Sequence, residues 1–166
     1  ADDYNAFFIF SHLFHHYLTS GIGLRQFCDW MLFLSTRKNT IDKDRLYEII
    51  TTMDMMVPWQ AFGCVLVRVL GMPESDFPFY DASKESKINR IITRVLDEGN
   101  FGKQRVVYKN RGKIYIFNKF LSFIGHIGRT MGLVLVFPKH AFERFVLTLT
   151  KGFASVWNDA RIRFRR

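Results

Sequence analysis

The chain has 166 residues, 48% hydrophobic and 23% charged, which is the balance of a globular domain with its own core. No Cys-x-x-Cys pair indicates a zinc ribbon, and Lys119 and Arg129 interrupt the most apolar late stretch too soon for a membrane span of roughly 20 residues. The net charge is +9, with nine Lys and Arg against three Asp and Glu between Lys84 and Lys113. This stretch and the terminal RIRFRR suit nucleotides, nucleic acid or an acidic neighbouring domain, although a solvated basic surface explains them equally.

The start of the chain carries no targeting signal. His12, His15 and His16 interrupt its apolar residues and no basic segment precedes them, so no signal peptide is predicted. Cys28 and Cys64 lie in apolar helical patterns and are expected to be buried free thiols in a reducing compartment. The sequence therefore predicts a soluble, cytoplasmic protein. Because it begins with alanine and contains 18 Phe, we expect a fragment of a longer protein.

Five helices are predicted in the first hundred residues, from apolar side chains that recur at helical spacing. The first ends at the glycines of TSGIG, and the second follows directly. Asp42 is the expected N-cap of the third, within TIDKDRLYEIITTMDMM. Pro58 is expected to open the fourth, and Gly71 and Pro73 close it before a loop leads to the fifth. The predicted ranges are 4–19, 24–36, 42–56, 58–69 and 84–98.

The later part of the chain has a less regular pattern. RVVYKNRGKIYIF fits either a small β-hairpin or a loop that runs into a helix, and we favour the loop. A turn, this ambiguous segment, two helices and a basic tail are predicted over 99–105, 105–117, 117–135, 138–150 and 153–166. The predicted fold class is therefore all-α, with about seven helices in a single helical domain over residues 1–166.

Three histidines lie within five positions of the first predicted helix. His12 and His16 are four residues apart and share a helix face, with His15 beside them. A pair at this spacing can hold a metal ion, but the glutamate of His-Glu-x-x-His helices is missing and no third ligand is evident. The other interpretations are hydrogen-bonded histidines of a helix interior and histidines that line an anion or substrate pocket. No metal site is predicted.

Arg25 and Asp29 are four residues apart in the second predicted helix. The simplest interpretation is an intrahelical ion pair worth about 0.3 kcal/mol, in the weaker order with the cation first. Their neighbours are apolar and Trp30 follows directly, so we expect a partly buried pair that serves orientation or binding. Arginine also suits two-point contact with phosphate.

GNFGKQR places Lys103 and Arg105 after two glycines, an arrangement that fits a phosphate contact or simply the end of a helix. It lacks the P-loop spacing of four residues between the glycines, followed by Lys and Ser or Thr. No nucleophile elbow is present, and the one Asp-x-Asp pair, Asp42 and Asp44, lies at a predicted helix start, where acids favour the helix dipole. The sequence thus contains no complete catalytic set.

The stretch YNAFFIFSHLFHHYLTSGIGLRQFCDWMLFL, at 4–34, resembles the segment that follows the catalytic domain in a family of bacterial nucleotidyltransferases of the Bacteroides type. The similarity continues through ID-x-DRL, the LG-x-P at 70–73 and the GNFG at 99–102, so it covers roughly residues 4–105. The first stretch is its specific part. The later residues are similar only in being basic, aromatic and helical.

This resemblance implies a two-part protein, in which an N-terminal α/β domain carries the carboxylates that bind Mg²⁺ and a helical part completes the site. The chain lacks that catalytic domain, so we expect it to bring no cofactor of its own and to be inactive alone. His12, His16, Arg25, Asp29 and Trp30 match recurring positions of the family. His12 and Arg25 would face the cleft and contact triphosphate or acceptor, and Asp29 would orient Arg25, unless this surface serves only interdomain packing.

Three functions remain open from the sequence. The first is a helical accessory domain that positions a nucleoside triphosphate or its acceptor against the missing catalytic domain. The second is a basic nucleic-acid-binding module, although no recognition-helix motif is visible. The third is a non-enzymatic domain that docks a protein partner through an apolar face.

Overall fold

The computed structural model describes residues 1–98 and, beyond them, residues 134, 136–140, 142, 143 and 146. Every regular element in this part of the chain is helical, which confirms the predicted all-α class. Contacts divide the chain into two compact units, Ala1–Arg105 and Val106–Arg166, and one domain over the whole chain stays a prediction. The α-helices of the first unit are α1 (Asp2–Thr19), α2 (Leu24–Arg37), α3 (Lys43–Thr52), α4 (Met56–Arg68) and α5 (Ile88–Glu98).

The predicted break between the first two helices is confirmed. Helix α1 begins with two aspartates, whose charge is favourable beside the positive end of the helix dipole. It ends where the backbone N–H groups of Ser20 and Gly21 both donate to the carbonyl of His16. Gly21 has a φ of 81°, a left-handed conformation that side chains disfavour, so the chain leaves the helix at this glycine.

The third and fourth helices meet earlier than predicted. Asp42 caps α3 as expected, because its side chain accepts a hydrogen bond from the Arg45 N–H at 3.1 Å. The helix ends at Thr52 rather than at residue 56, since Asp54 takes a left-handed φ of 54°. Helix α4 then starts two residues before Pro58, which is tolerated there because N–H groups of a first turn have no partner within the helix.

The predicted fifth helix is two elements. Residues Ala82–Lys87 form a 3₁₀ helix, and α5 continues from Ile88 to Glu98. Asp81 starts the 3₁₀ helix, because its side chain accepts from the Ser83 N–H and its carbonyl accepts from the Lys84 N–H. These bonds close tighter rings than those of an α-helix, and a single helix over 84–98 was therefore wrong in its first turn.

The core of the first unit is aromatic. Phe10 lies at its centre, with ring centroids 5.1 Å from Trp59, 5.3 Å from Trp30 and 5.9 Å from Phe62. Phe77, from the segment after α4, packs edge-on against Trp30 at 5.6 Å. Helices α1, α2 and α4 thus bury large rings against one another, which accounts for part of the high phenylalanine content.

The segment after α4 is fastened to that helix by hydrogen bonds from α4 side chains to its backbone. Trp59 Nε1 donates to the Pro78 carbonyl at 2.9 Å and Gln60 Nε2 to the Phe79 carbonyl at 3.2 Å. One turn further along, the Cys64 thiol donates to a carbonyl at 3.4 Å. A segment that sequence patterns treat as a loop is therefore a fixed part of the core.

Several predictions fall outside the described residues: the turn at 99–105, the hairpin or loop at 105–117, most of the helix at 117–135 and the tail at 153–166. Residues 138–140, 142, 143 and 146 are helical, in agreement with the helix predicted over 138–150.

Candidate functional site

A stripe of aromatic rings runs along the outer face of α1. Tyr4 and Phe8 each leave 57% of their surface exposed, and His12, one turn further on, is also exposed. The ring centroids of Tyr4 and Phe8 are 6.5 Å apart at an interplanar angle of 17°, and those of Phe8 and His12 are 6.4 Å apart at 16°. The three side chains therefore present their rings to the surface as one near-parallel series, called the ring stripe below.

The histidines continue this stripe to the end of α1. The rings of His12 and His16 meet edge to face at 4.5 Å, and the His15 ring lies 5.9 Å from that of His16. His16 Nδ1 is hydrogen-bonded to the Ser20 hydroxyl at 2.7 Å. The structure thus brings the three predicted histidines together, with His12 and His15 exposed and His16 partly covered.

Arg25 and Asp29 lie on the exposed face of α2, so the expected partial burial of this pair is wrong. Within the described residues, no hydrogen bond or ion pair joins them, and the expected orientation of Arg25 by Asp29 is not made. The buried face of α2 carries Phe27, Trp30 and Leu34, which turns positions 25 and 29 outward. Sequence neighbours were misleading here because adjacent helix residues point in different directions.

The first turn of α2 is a positive end without acidic compensation. Its N-cap is Gly23, which has no side chain to bond the free N–H groups, and no acidic residue lies in the first turn. The Gly23 N–H donates to Gln26 Oε1 at 3.0 Å, which secures the turn from outside. Arg25 adds a full charge to this end, and such an arrangement favours an anion.

Trp30 is a core residue and not a surface residue of the site. It is fully buried, with its ring 5.0 Å from Trp59 and 5.3 Å from Phe10. Its indole N–H has no hydrogen-bond partner among the described residues. Lys103 and Arg105, the other basic candidates, lie outside the described residues.

A second polar cluster, which the sequence analysis missed, joins α4 to the two 3₁₀ turns that follow it. Glu85 accepts hydrogen bonds from Arg68 Nε at 2.8 Å and from the Tyr80 hydroxyl at 2.6 Å. Arg68 also pairs with Glu74 at 2.8 Å, and its guanidinium lies 5.8 Å from the centre of the Tyr80 ring. The residues come from separate segments, so no local spacing could have indicated them.

The environment of this cluster makes its acids strong and its thiol inert. The hydrogen bond from Tyr80, and then that from Arg68, lower the pKa of Glu85. Burial raises the pKa of Tyr80, as does its bond to Glu85, and burial raises the pKa of Cys64 to about 11. Cys64 is a free, buried thiol as predicted, whereas Cys28 is free but exposed, contrary to expectation. A protonated Cys64 is no nucleophile at neutral pH, so the cluster stabilises the fold.

Asp81 makes stability depend on acid pH. Hydrogen bonds from Ser83, and then Lys84, lower its pKa to about 2. A carboxylate with a lowered pKa contributes stability that is complete above its ordinary pKa of about 3.9 and is lost as the pH falls towards the folded value. Asp81→Asn should therefore destabilise the protein at pH ~5, and the difference from the wild type should shrink by pH ~3.

Urea unfolding at the two pH values measures this difference. Asp29→Asn is the matched control, since Asp29 is exposed and makes no ion pair among the described residues. An Asp81→Asn deficit that is the same at both pH values would mean that the carboxylate charge contributes nothing.

Two general features of the described residues bear on function. They contain no group of three or more His, Cys, Asp or Glu side chains that could hold a metal ion. None of the helices described is both long enough and apolar enough to cross a bilayer. Comparison of the chain with protein-family models, curated proteins and solved structures gives no match.

Proposed function

We propose that this chain is the helical part of a nucleotidyltransferase-like protein and that the outer surface of α1 and α2 positions a nucleoside triphosphate or its acceptor. The sequence resemblance supports this proposal, because its specific part, residues 4–34, spans α1, the glycine break and most of α2. In this proposal the Mg²⁺ ligands belong to a separate α/β catalytic domain, and the helical chain supplies binding contacts.

The observation that carries the proposal is the ring stripe. Large rings are usually buried, yet Tyr4 and Phe8 face outward while Phe7 and Phe10 of the same helix fill the core. Exposed rings in a near-parallel series offer stacking faces to a nucleobase, and each stacked base contributes about 1–3 kcal/mol. His12 extends this surface with ring nitrogens that hydrogen-bond.

The start of α2 offers the contact for phosphate. Arg25 is exposed and makes no ion pair with a described residue, and it stands at an uncapped, positive helix end. A guanidinium binds phosphate oxygens at two points, and the first-turn N–H groups of a helix favour negative charge. Phosphoryl transfer depends largely on positioning and charge stabilisation, so such contacts contribute without any metal on this chain.

Calorimetric titration with Mg-ATP and the other nucleoside triphosphates tests the proposal. Phe8→Ala and Arg25→Ala should each weaken binding by about tenfold or more, the loss expected for a stacking or charged contact. Tyr47→Ala and Arg37→Ala are the matched controls, an exposed aromatic on α3 and an exposed arginine at the far end of α2, and they should change affinity less than about twofold.

The titration belongs on both the 166-residue chain and the intact protein, because the catalytic domain contributes to the site in this proposal. Absence of binding in both would contradict the proposal. Equal losses in the site variants and the controls would contradict it as well, since they would indicate non-specific binding.

Docking of a protein partner is the second candidate, and the exposed side chains of Tyr4, Phe8 and Leu32 favour it. In that case Phe8→Ala would abolish capture of the partner and leave nucleotide affinity unchanged. The nucleic-acid module has less support from the described helices, because residues 1–98 carry ten Lys and Arg against thirteen Asp and Glu. It predicts affinity that falls steeply with salt.

A further inference from the structure

A line of cations follows one side of α5. Lys87 immediately precedes the helix, Arg90 lies in its first turn and Arg94 one turn later. Positions separated by three, four and seven residues share a helix face, so the three side chains lie on one side over about 10 Å of helix. Lys84 stands one turn before them in the 3₁₀ helix. These residues are called the α5 cation stripe below.

The carboxylates of the preceding 3₁₀ segment are engaged by other groups. Asp81 pairs with Lys84 at 3.0 Å and accepts the Ser83 N–H. Glu85 is held by Arg68 and by Tyr80. Like charges three residues apart on a helix repel one another, so the row of cations costs free energy in the absence of a compensating anion.

Lys87 lies at the most positive position of this row. Burial, and then the charges of Arg90 and Lys84, lower its pKa. An anion placed against Lys87 and Arg90 would offset both effects, because it supplies negative charge where the protein has concentrated positive charge.

The far end of the stripe reaches α1. The Arg94 guanidinium lies 5.2 Å from the centre of the Tyr17 ring, and Tyr17 directly follows His16 in α1. A cation over an aromatic face is held in place, which orients the last member of the stripe. The stripe therefore runs from the 3₁₀ helix towards the end of α1 that carries the histidines.

We propose that the α5 cation stripe binds the phosphate groups of a short polyphosphate, with Lys87 and Arg90 as its principal contacts. A row of cations about 10 Å long contacts several phosphate groups, which a single cation cannot do. A nucleoside triphosphate as the source of that polyphosphate rests on the proposed function, whereas the polyphosphate contact itself does not depend on a base.

The test uses sodium tripolyphosphate, which has no base, and Mg-ATP as separate ligands of the full chain in calorimetric titration. The double variant Lys87→Gln/Arg90→Gln should lose about tenfold or more in affinity for tripolyphosphate, as expected on removal of charged hydrogen bonds. Arg37→Gln/Lys43→Gln removes the same charge from exposed positions near the α2–α3 connection and should lose less than about twofold. Arg90→Lys should retain most of the affinity.

Three results would overturn the proposal: no binding of tripolyphosphate by the wild type, an unchanged affinity in the Lys87→Gln/Arg90→Gln variant, or an equal loss in the control variant. Far-UV circular dichroism and thermal unfolding of each variant verify that α5 remains folded. The proposed function fails separately, because Phe8→Ala should weaken ATP and not tripolyphosphate. Loss of both ligands in Lys87→Gln/Arg90→Gln supports one phosphate site for the two.

Discussion

Replacement of Phe10 by alanine should lower the free energy of unfolding by about 3–5 kcal/mol, the range for removal of a buried aromatic side chain. Phe10 is fully buried and contacts the rings of Trp30, Trp59 and Phe62, which come from helices α2 and α4. Large rings on three sides cannot collapse into the space that Phe10 leaves. The variant therefore loses both the burial of the ring and the dispersion contacts that line the cavity.

Urea denaturation followed by tryptophan fluorescence measures this loss, since Trp30 and Trp59 report on the same core. Phe8→Ala is a closely matched control, because it removes the same side chain from the same helix at an exposed position. It should cost less than about 0.5 kcal/mol. Equal costs for the two variants would mean that Phe10 does not organise the core.

Gly63→Ala should destabilise the protein by about 3 kcal/mol, at the upper end of the range for overpacking. A Cβ at this position of α4 would lie far inside van der Waals contact with the ring of Phe77. That ring has little room to yield, because it is 3% exposed and packs against Trp30 and Trp59, each at 5.6 Å. The glycine is required by this close approach of a ring to the helix, and not by its backbone angles.

A second substitution separates this clash from helix propensity. Phe77→Leu shortens the side chain, so the double variant Gly63→Ala/Phe77→Leu should cost less than the sum of the two single changes. Gly71→Ala is the contrasting control: its Cβ meets nothing within 4 Å, but its φ of 78° strains any side chain, and we expect a loss of about 1 kcal/mol. Thermal unfolding of the four variants provides the comparison, and strict additivity at 63 and 77 would contradict the clash.

The two proposed surfaces make different demands on a ligand. The ring stripe offers stacking faces, and the α5 cation stripe offers charge without aromatic faces of its own. Tyr17, in α1, contacts Arg94 of the cation stripe and directly follows His16, at the end of the ring stripe. Variants of Phe8 and of Lys87 with Arg90 therefore separate base recognition from phosphate recognition in one protein.

The sequence alone determined the local features of this chain. Apolar spacing located the helices of the first unit, Asp42 was identified as a cap from its position before an apolar run, and the glycines of TSGIG marked the turn that Gly21 makes. Each of these depends on interactions within a few residues, which spacing and residue type report directly. The ends of α3 and α4 were less accurate, because Asp54 adopts a left-handed conformation that side chains usually avoid.

Tertiary structure decided which face of each helix was buried. Helix α1 is aromatic on nearly every side, so its sequence does not show that Phe10 lies inside and Phe8 outside; α2, α3 and α4 make that choice by packing on one side. The same reason places Trp30 in the core and Arg25 on the surface, although they stand in one motif. Burial depends on neighbours distant in sequence, and the Arg68–Glu85–Tyr80 contacts arise only when the chain brings separate segments together.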